Sequence, residues 1–367
     1  MKSGLFKNHI QSIHPYEPGK PIKEVERELG LKRVIKLASN ENPLGPSGKA
    51  VRAMRRALRE TNLYPEGSCF YLATKLAAKL DLPRDRILFG NGSNEIIELL
   101  ARGFVSEGDE VLSSEISFLV YPILTQVCGG KYVSVPMKDH RYDLEGILRA
   151  VTPRTRLIFI ANPNNPTGTY VTAAELDGFL ARVPDHVIVC LDEAYVDFVN
   201  AGDFPDAVEM IKRGRENLVV LRTFSKSYGL AGLRIGYGLA HPSIIGYLSK
   251  IRQPFNVNSL AQTAAAAALE DNFFLWRTRT LVNWGRRYLY KRFQRMGIRF
   301  LDSQANFVLI DTERDGEKIY QALLRKGVIV RPMSAYGLPS WLRVTVGRRG
   351  QNAFFIRQLK LVLRETA

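Results

Sequence analysis

One lysine lies in a segment whose residue types could hold an amine next to a phosphate group. Lys226 follows the apolar run of residues 218–221, stands directly after Ser225, and precedes a glycine-rich turn that ends at Arg234. A lysine amine can form a Schiff base with an aldehyde, while hydroxyl and guanidinium groups bind a phosphate on the same molecule. Alone, the pattern also fits a lysine on a solvated turn, because most lysines are surface residues. The segment predicts a site only if other segments supply the remaining groups.

Three other segments carry polar groups just after predicted buried strands. Asp192 ends the β-branched run of residues 187–191, residues 162–168 read NPNNPTG after an apolar run, and Gly92 precedes a helical pattern after residues 87–89. In open α/β sheets, ligands bind outside the carboxyl ends of the strands. Asp192 could pair there with a protonated ring nitrogen, and the helix start after Gly92 could bind an anion. Each segment alone also fits an ordinary turn or a helix cap.

The elements that position these groups alternate between strands and helices. β-Branched apolar runs, each followed by a helical pattern or a turn, begin near residues 87, 111, 157, 187, 218 and 235. A capping-box pattern from Thr172 to Glu175 predicts the start of one intervening helix. This alternation predicts an α/β protein with a mostly parallel sheet and helices on both faces.

The last quarter of the chain has a different pattern. It predicts a long helix, a strand, a second helix, a second strand and a C-terminal helix, the first four over residues 272–296, 306–310, 317–326 and 342–346. A chain of 367 residues exceeds a single small core, so two domains are expected. We expect a large ligand-binding domain over residues 30–270 and a smaller α+β domain over residues 271–367, joined by the N-terminal segment 1–29.

Read in order, six segments resemble the fold type I aminotransferases that depend on pyridoxal 5'-phosphate (PLP). They are Asn40-Glu41-Asn42-Pro43, Tyr64-Pro65, residues 90–95, the NPNNPTG loop, residues 192–195, and Ser225-Lys226 with Arg234. The resemblance covers nearly the whole chain. It implies PLP as the cofactor and the fold of that family, a mostly parallel sheet with helices on both faces plus a smaller α+β domain.

The resemblance implies a role for each matching residue. Lys226 would form the Schiff base and move protons, Asp192 would pair with the pyridine nitrogen, and Tyr195 would contact the phenolic oxygen of the ring. These three are the catalytic candidates. The other cofactor-binding candidates would contact the phenolic oxygen, the ring face or the phosphate, and they are Asn165, Phe118, Gly92, Ser93, Asn94, Thr223, Ser225 and Arg234. Tyr64 matches a residue that reaches the cofactor phosphate of the neighbouring subunit, which implies a homodimer.

Further segments resemble the branch of that family that acts on histidinol phosphate. They are residues 16–21, 38–47, 64–68, 327–333 and 342–347. The resemblance implies an exchange in histidine biosynthesis between histidinol phosphate and 2-oxoglutarate, which yields imidazole acetol phosphate and glutamate. It implies the substrate-binding residues Tyr16, Asn40, Arg331 and Arg343, and a guanidinium suits both phosphate and carboxylate. An aromatic amino acid aminotransferase or a threonine-phosphate decarboxylase would share many of these residues and stay open as alternatives.

The amino-acid composition indicates which classes of partner and which cellular compartment to expect. The three cysteines and five histidines are scattered and form no metal-binding or redox spacing, so we expect a reduced, cytoplasmic protein without a metal site. No apolar signal core or membrane span is predicted. The net charge of +16 would suit nucleic acid, but the basic residues are spread along helices. We therefore expect small anionic substrates rather than nucleic acid or a membrane.

Overall fold

The computed structural model describes residues 7–15 and 18–365 of the chain. The strands in this part of the chain are β1 Ile35–Lys36, β2 Ile87–Gly90, β3 Glu110–Ser114, β4 Lys131–Val135, β5 Thr155–Ala161, β6 Ile188–Asp192, β7 Leu218–Thr223, β8 Gly236–Ala240, β9 Arg299–Phe300, β10 Phe307–Asp311, β11 Val328–Ile329, β12 Arg331–Pro332 and β13 Trp341–Thr345. The α-helices are α1 Asn8–Gln11, α2 Ile22–Leu29, α3 Gly48–Ala57, α4 Phe70–Leu80, α5 Ser93–Phe104, α6 Val120–Val127, α7 Leu144–Ala150, α8 Ala173–Leu180, α9 Ala207–Lys212, α10 Pro242–Ser249, α11 Ser259–Leu269, α12 Asn272–Arg295, α13 Gly316–Arg325 and α14 Arg349–Glu365.

A seven-stranded sheet forms the centre of the molecule, with strand order β2-β8-β7-β6-β5-β3-β4. Strand β8 runs antiparallel to β2 and β7, and the other neighbours are parallel. Alternate residues of one strand belong to cores on opposite faces: Ile158 and Ile160 pack in one cluster, Leu157 and Phe159 in another. Burial on both faces explains the continuous apolar runs of these strands. The predicted mostly parallel α/β sheet is confirmed.

Strand β4 is a sheet member that the sequence pattern did not indicate. It lies at the edge of the sheet and pairs only with β3 among the described strands. Its residues 131–135 read KYVSV, and Lys131 and Ser134 are exposed. An edge strand with polar residues lacks the continuous apolar run by which the central strands were recognised.

A four-stranded antiparallel sheet, in the order β12-β13-β10-β9, forms the second layer of structure. Its core includes Val308, Ile310, Val344 and, from α14, Phe355. The helices and strands predicted for this part of the chain occur within one residue of their expected bounds. Strand β1 pairs in parallel with β11, so a segment near the N-terminus packs beside this sheet. The division into domains at residues 30–270 and 271–367 stays a prediction.

Local helix signals also agree with the structure. Thr172 caps α8: its Oγ1 accepts from the Glu175 backbone N–H, while Glu175 Oε2 accepts from the Thr172 backbone N–H at 2.7 Å. The long helix α12 carries many arginines, and no helix within residues 7–15 and 18–365 is both long and apolar enough to span a bilayer.

Candidate active site

A cavity of about 400 Å³ lies at the carboxyl ends of strands β5, β6 and β7, facing the four-stranded sheet. Both sheets and the N-terminal segment contribute to its wall. The predicted site residues that line it are Asn40, Ser93, Asn94, Phe118, Asn165, Asp192, Tyr195, Thr223, Ser225, Lys226, Arg234, Arg331 and Arg343. The structure thus brings together residues that are up to about three hundred positions apart in the sequence.

Lys226 reaches the cavity from the turn that follows β7. The turn is closed by backbone hydrogen bonds from Gly229 to Lys226 and from Leu230 to Phe224. Gly229 has φ of +71° and faces the Gly45 carbonyl so closely that a Cβ would stand 2.2 Å from its oxygen, so the turn requires glycine there. Lys226 Nζ donates to the Ser39 carbonyl at 3.3 Å and lies 5.6 Å from the centre of the Tyr195 ring.

Asp192 is a buried carboxylate at the last position of β6. Its Oδ1 accepts from the Ala194 backbone N–H at 3.1 Å, and its Oδ2 accepts from the Tyr121 hydroxyl at 2.9 Å. Burial raises the pKa of Asp192, while the two hydrogen bonds and the Lys226 charge oppose that rise. A carboxylate held in this way can pair with a cationic ring nitrogen in the cavity.

One corner of the cavity gathers groups that can donate hydrogen bonds to an anion. Helix α5 begins at Ser93, so its first backbone N–H groups and the positive end of its dipole face this corner. Gly92, the residue before it, has φ of +77°, and a Cβ there would stand 2.6 Å from Arg234 Nη2. The absence of a side chain lets the guanidinium approach the helix start. Thr223 and Ser225 add hydroxyls to the same wall, and the Ser225 N–H donates to Thr223 Oγ1 at 3.1 Å.

The three amides of the NPNNPTG loop divide into structural and cavity-facing groups. Asn162 exchanges two hydrogen bonds with the Val171 backbone, and Asn164 bonds to Ser117, Thr167 and the Ile116 carbonyl. These bonds fix the loop, whose Asn162-Pro163 and Asn165-Pro166 peptides are cis. Asn165 lines the cavity, and its Oδ1 accepts from Arg343 Nη1. Because Oδ1 takes this bond, the Asn165 Nδ2 protons remain to donate to an acceptor in the cavity.

Asn40 connects Tyr195 to the four-stranded sheet. Its Nδ2 donates to the Tyr195 hydroxyl at 2.9 Å, and its Oδ1 accepts from Thr345 Oγ1 at 3.0 Å. The Asn40 carbonyl accepts from Asn306 Nδ2 at 2.9 Å. Burial raises the pKa of Tyr195, so its phenol keeps its proton and can donate it to another acceptor in the cavity.

Two arginines of the four-stranded sheet face each other across neighbouring strands. Arg331 of β12 and Arg343 of β13 are directly paired in register, and both line the cavity. Arg343 is buried and donates to the Ala38 carbonyl at 2.6 Å, while its Nε has no hydrogen-bond partner among the described residues. Like charges directly opposite on a sheet are destabilising, and a buried donor needs an acceptor. Two guanidinium groups placed in this way can bind one anionic group.

Two predicted site residues do not lie in this cavity, and a third lies outside the described residues. Tyr64 is 83% exposed, and its ring stacks on Phe255 with the ring centres 4.9 Å apart. Gly92 flanks the anion-binding corner rather than lining it. Tyr16 falls outside the residues that the structure describes.

The sequence patterns missed other residues of the site. Tyr121, which bonds to Asp192, belongs to the segment that was noted only for Phe118. Gly19 and Glu41 line the cavity, and Glu41 pairs with Lys36 at 3.2 Å. Both belong to segments noted for their resemblance, but neither has a local pattern that indicates a cavity. Tyr121 has the pattern of any core aromatic residue, which does not indicate a contact with Asp192.

With the geometry established, comparison with known proteins identifies the family. The sequence profile described as "Aminotransferase class I and II" matches residues 32–359 of the chain. The chain therefore belongs to this family. The match includes both sheets and all the predicted site residues except Tyr16.

Individual relatives narrow the comparison. The chain is 50% identical to the histidinol-phosphate aminotransferase of Moorella thermoacetica over 354 residues, which cover 96% of this chain and 92% of that protein. It is 49% identical to histidinol-phosphate aminotransferase 1 of Nitrosococcus oceani, with 97% and 96% covered. The crystal structure of the Sinorhizobium meliloti histidinol-phosphate aminotransferase in complex with pyridoxal-5'-phosphate superposes with a TM-score of 0.92, at 29% identity and with 99% of each chain covered. The predicted resemblance to this branch of the family is confirmed.

Proposed function

We propose that this chain is a PLP-dependent aminotransferase of histidine biosynthesis, which interconverts histidinol phosphate plus 2-oxoglutarate and imidazole acetol phosphate plus glutamate. The names of the relatives support the substrate. One observation carries the proposal: Lys226, Asp192 and the Arg331–Arg343 pair line the same cavity. An amine, a buried carboxylate and two guanidinium groups are the groups that amino exchange between anionic substrates requires.

The donors and acceptors of the cavity fit PLP. The α5 start, Arg234, Thr223 and Ser225 would bind its phosphate, because they gather backbone N–H, hydroxyl and guanidinium donors at one corner. The Gly92 position, where a Cβ would collide with Arg234, supports a close approach of donors at that corner. When bound, PLP supplies the aldehyde that takes up the amino group and a ring that delocalises the electrons released with the proton.

The other residues would orient the ring. Asp192 would hold the proton of the pyridine nitrogen, because its carboxylate is buried and its two oxygens are already fixed by donors. Asn165 Nδ2 and the Tyr195 hydroxyl would donate to the phenolic oxygen. Phe118 lines the cavity and offers an aromatic face for stacking.

Lys226 would carry the proton in the reaction. Its Nζ lies inside the cavity, close to the Tyr195 ring and the Ser39 carbonyl. As a free amine it would take the proton from the substrate carbon next to nitrogen and deliver it to the cofactor carbon that receives the amino group. A positioned base of this kind contributes about 10² to 10⁴ in rate.

The four-stranded sheet would supply the main substrate-binding residues. Arg331 and Arg343 would bind the phosphate of histidinol phosphate in one half-reaction and a glutamate carboxylate in the other. The unpartnered Nε of Arg343 supports this role, because a bidentate anion would satisfy it. Asn40 and Tyr16 are proposed as further substrate contacts, of which Asn40 lines the cavity.

We also propose a cytoplasmic homodimer in which Tyr64 reaches the cofactor phosphate of the partner subunit. The high exposure of Leu63, Tyr64 and Tyr71 supports a contact with a second copy, since exposed large apolar side chains mark interfaces. All three cysteines are free thiols, which supports a reducing compartment.

The substrate is tested by comparing amino donors. Purified enzyme with PLP is assayed with 2-oxoglutarate and either histidinol phosphate, phenylalanine or threonine phosphate. We expect the highest kcat/KM for histidinol phosphate. Equal kcat/KM for phenylalanine would favour an aromatic amino acid aminotransferase, and carbon dioxide release from threonine phosphate would favour the decarboxylase.

A further inference from the structure

A buried tyrosine outside the cavity wall bonds to the candidate catalytic carboxylate. Tyr121, at the second position of α6, donates its hydroxyl proton to Asp192 Oδ2 at 2.9 Å. Phe118 and Val120 from the same segment line the cavity, whereas Tyr121 points past them to the strand. The other oxygen of Asp192 takes the Ala194 N–H, so Tyr121 supplies the side-chain donor to this carboxylate.

The position of Tyr121 is rigidly defined. Its side chain is fully buried, and its ring stacks on Phe159 of β5 with ring centres 4.4 Å apart and planes at 2°. Phe118 packs edge-on against it at 5.6 Å. Burial raises the pKa of the Tyr121 phenol well above its ordinary value, so the hydroxyl stays protonated and acts only as a donor toward Asp192.

We propose that Tyr121 is a positioning residue that fixes Asp192 through Oδ2 and keeps its carboxylate negatively charged beside the cofactor ring. This inference rests on the proposed function, because there Asp192 pairs with the protonated pyridine nitrogen of PLP. Without the phenol the carboxylate would become more basic and would compete more strongly for the proton on the ring nitrogen. Asp192 would then be less able to keep a bound PLP ring protonated, and that positive charge is what makes the ring withdraw electrons.

Other ionisable groups also face Asp192 and set the background for this effect. Lys226 approaches from the turn after β7 and stabilises the carboxylate charge. Tyr142, Tyr195 and Cys190 lie close enough to interact with that charge, and burial raises the pKa of each. Because these groups stay neutral, Tyr121 and Lys226 are the side chains that favour the ionised carboxylate.

The test is a spectroscopic titration of the PLP-loaded enzyme. The yellow absorbance of PLP bound to Lys226 changes with pH, and its midpoint reports the charge on the ring. For Tyr121→Phe, which keeps the stacked ring and removes the hydroxyl, we expect the midpoint to rise by about one pH unit, the scale of one lost hydrogen bond to a charged group. The PLP dissociation constant should change little, because the phosphate donors are untouched.

Tyr142→Phe is the matched control. Tyr142 is also buried close to Asp192, but its hydroxyl bonds to Ser117 at 2.6 Å and accepts the Ala161 N–H at 3.1 Å. The midpoint of the absorbance titration for Tyr142→Phe should equal that of the wild type. An unchanged midpoint in Tyr121→Phe, or an equal shift in Tyr142→Phe, would overturn the proposal.

A double variant separates positioning from packing. In an Asp192→Asn background the carboxylate charge is gone, so adding Tyr121→Phe should not shift the absorbance midpoint further. An additive shift would contradict an effect of Tyr121 that acts through Asp192. If Tyr121→Phe does not fold, 3-fluorotyrosine at position 121 keeps the ring and its hydroxyl and is a stronger donor, so it should lower the midpoint; an unchanged or raised midpoint there counts against the proposal. A wild-type enzyme that forms no coloured complex on Lys226 would instead contradict the proposed function.

Discussion

The two sheets contribute to the cavity in different ways. The seven-stranded sheet supplies residues from strand ends: Asp192 is the last residue of β6, and Lys226 is the third residue after β7. The four-stranded sheet supplies residues from within its strands: Arg343 is the middle residue of β13 and pairs with Arg331 of β12. Strand ends of a parallel sheet gather polar groups because of topology. A cross-strand pair is instead set by register, so Arg343 lies opposite Arg331 because of how β13 pairs with β12.

This contrast predicts where a substitution removes chemistry and where it removes only substrate preference. The largest effect is expected at Lys226. For Lys226→Ala we expect kcat to fall by at least about 10³, because the nucleophile and the proton carrier are lost together. Borohydride reduction of the PLP-loaded wild type, followed by peptide mapping, should label Lys226.

Lys250 provides the control for this experiment, because it is an exposed lysine near the end of α10. Lys250→Ala should keep the wild-type kcat, and the labelled peptide should not contain it. A label on a different lysine, or none after PLP is added back, would contradict the assignment of Lys226.

A smaller loss is expected at Asp192. For Asp192→Ala we expect kcat to fall because the activation free energy rises by roughly 3–5 kcal/mol, the scale of breaking a buried ion pair. The PLP dissociation constant should change less than kcat, because the Arg234 and α5 donors remain. Stopped-flow kinetics and equilibrium dialysis separate the two quantities. Near-normal kcat in this variant would remove Asp192 from the mechanism.

The other sheet should respond differently. For Arg343→Ala we expect kcat/KM for histidinol phosphate to fall. The loss in transition-state stabilisation should be roughly 2–5 kcal/mol, because a charge-assisted partner of a desolvated anion is lost. Arg343→Lys should also be poor, since a point charge cannot replace the bidentate guanidinium. The absorbance of bound PLP should change less than in Asp192→Ala, because Arg343 reaches the ring only through its hydrogen bond to Asn165.

Arg357, exposed on α14, is the matched control, and Arg357→Ala should keep the wild-type kcat/KM. If Arg343→Ala lowered turnover of every substrate equally and altered the PLP absorbance as much as Asp192→Ala does, the separation between the two sheets would be wrong.

The smallest expected effect lies at the exposed Tyr64. For Tyr64→Phe we expect PLP affinity to fall by about 1.5–3 kcal/mol, the scale of one hydrogen bond to a charged group. Mixing Lys226→Ala subunits with Tyr64→Ala subunits should restore part of the activity, since one composite site per heterodimer would then be intact. Mixtures that never exceed either parent would argue against a shared site.

Sequence reasoning succeeded where local pattern and topology coincide. The apolar runs of β5, β6 and β7 predicted strands, and the rule for parallel sheets then placed Asp192 and Lys226 in one crevice. Three helices and two strands of the last quarter of the chain were also predicted from periodicity, whereas the two-residue strands β9, β11 and β12 are too short to show one.

It failed where tertiary contacts decide the outcome. Tyr121 has the pattern of any core aromatic, and only its packing on Phe159 directs the hydroxyl to Asp192. Strand β4 is half exposed and lacks a continuous apolar run. Arg331 and Arg343 were identified only through the resemblance, because cross-strand register cannot be inferred from either strand alone.

The facing arginines of the four-stranded sheet also connect ligand binding to the melting behaviour of the protein. Like charges directly opposite on a sheet are destabilising, and a bound anion would offset that repulsion. By mass action, any anion that occupies the pair stabilises the folded chain in proportion to the logarithm of its concentration. If the pair binds anions as proposed, inorganic phosphate in a buffer would both compete with substrate and raise the melting temperature, so thermal stability would report on the anion in the cavity.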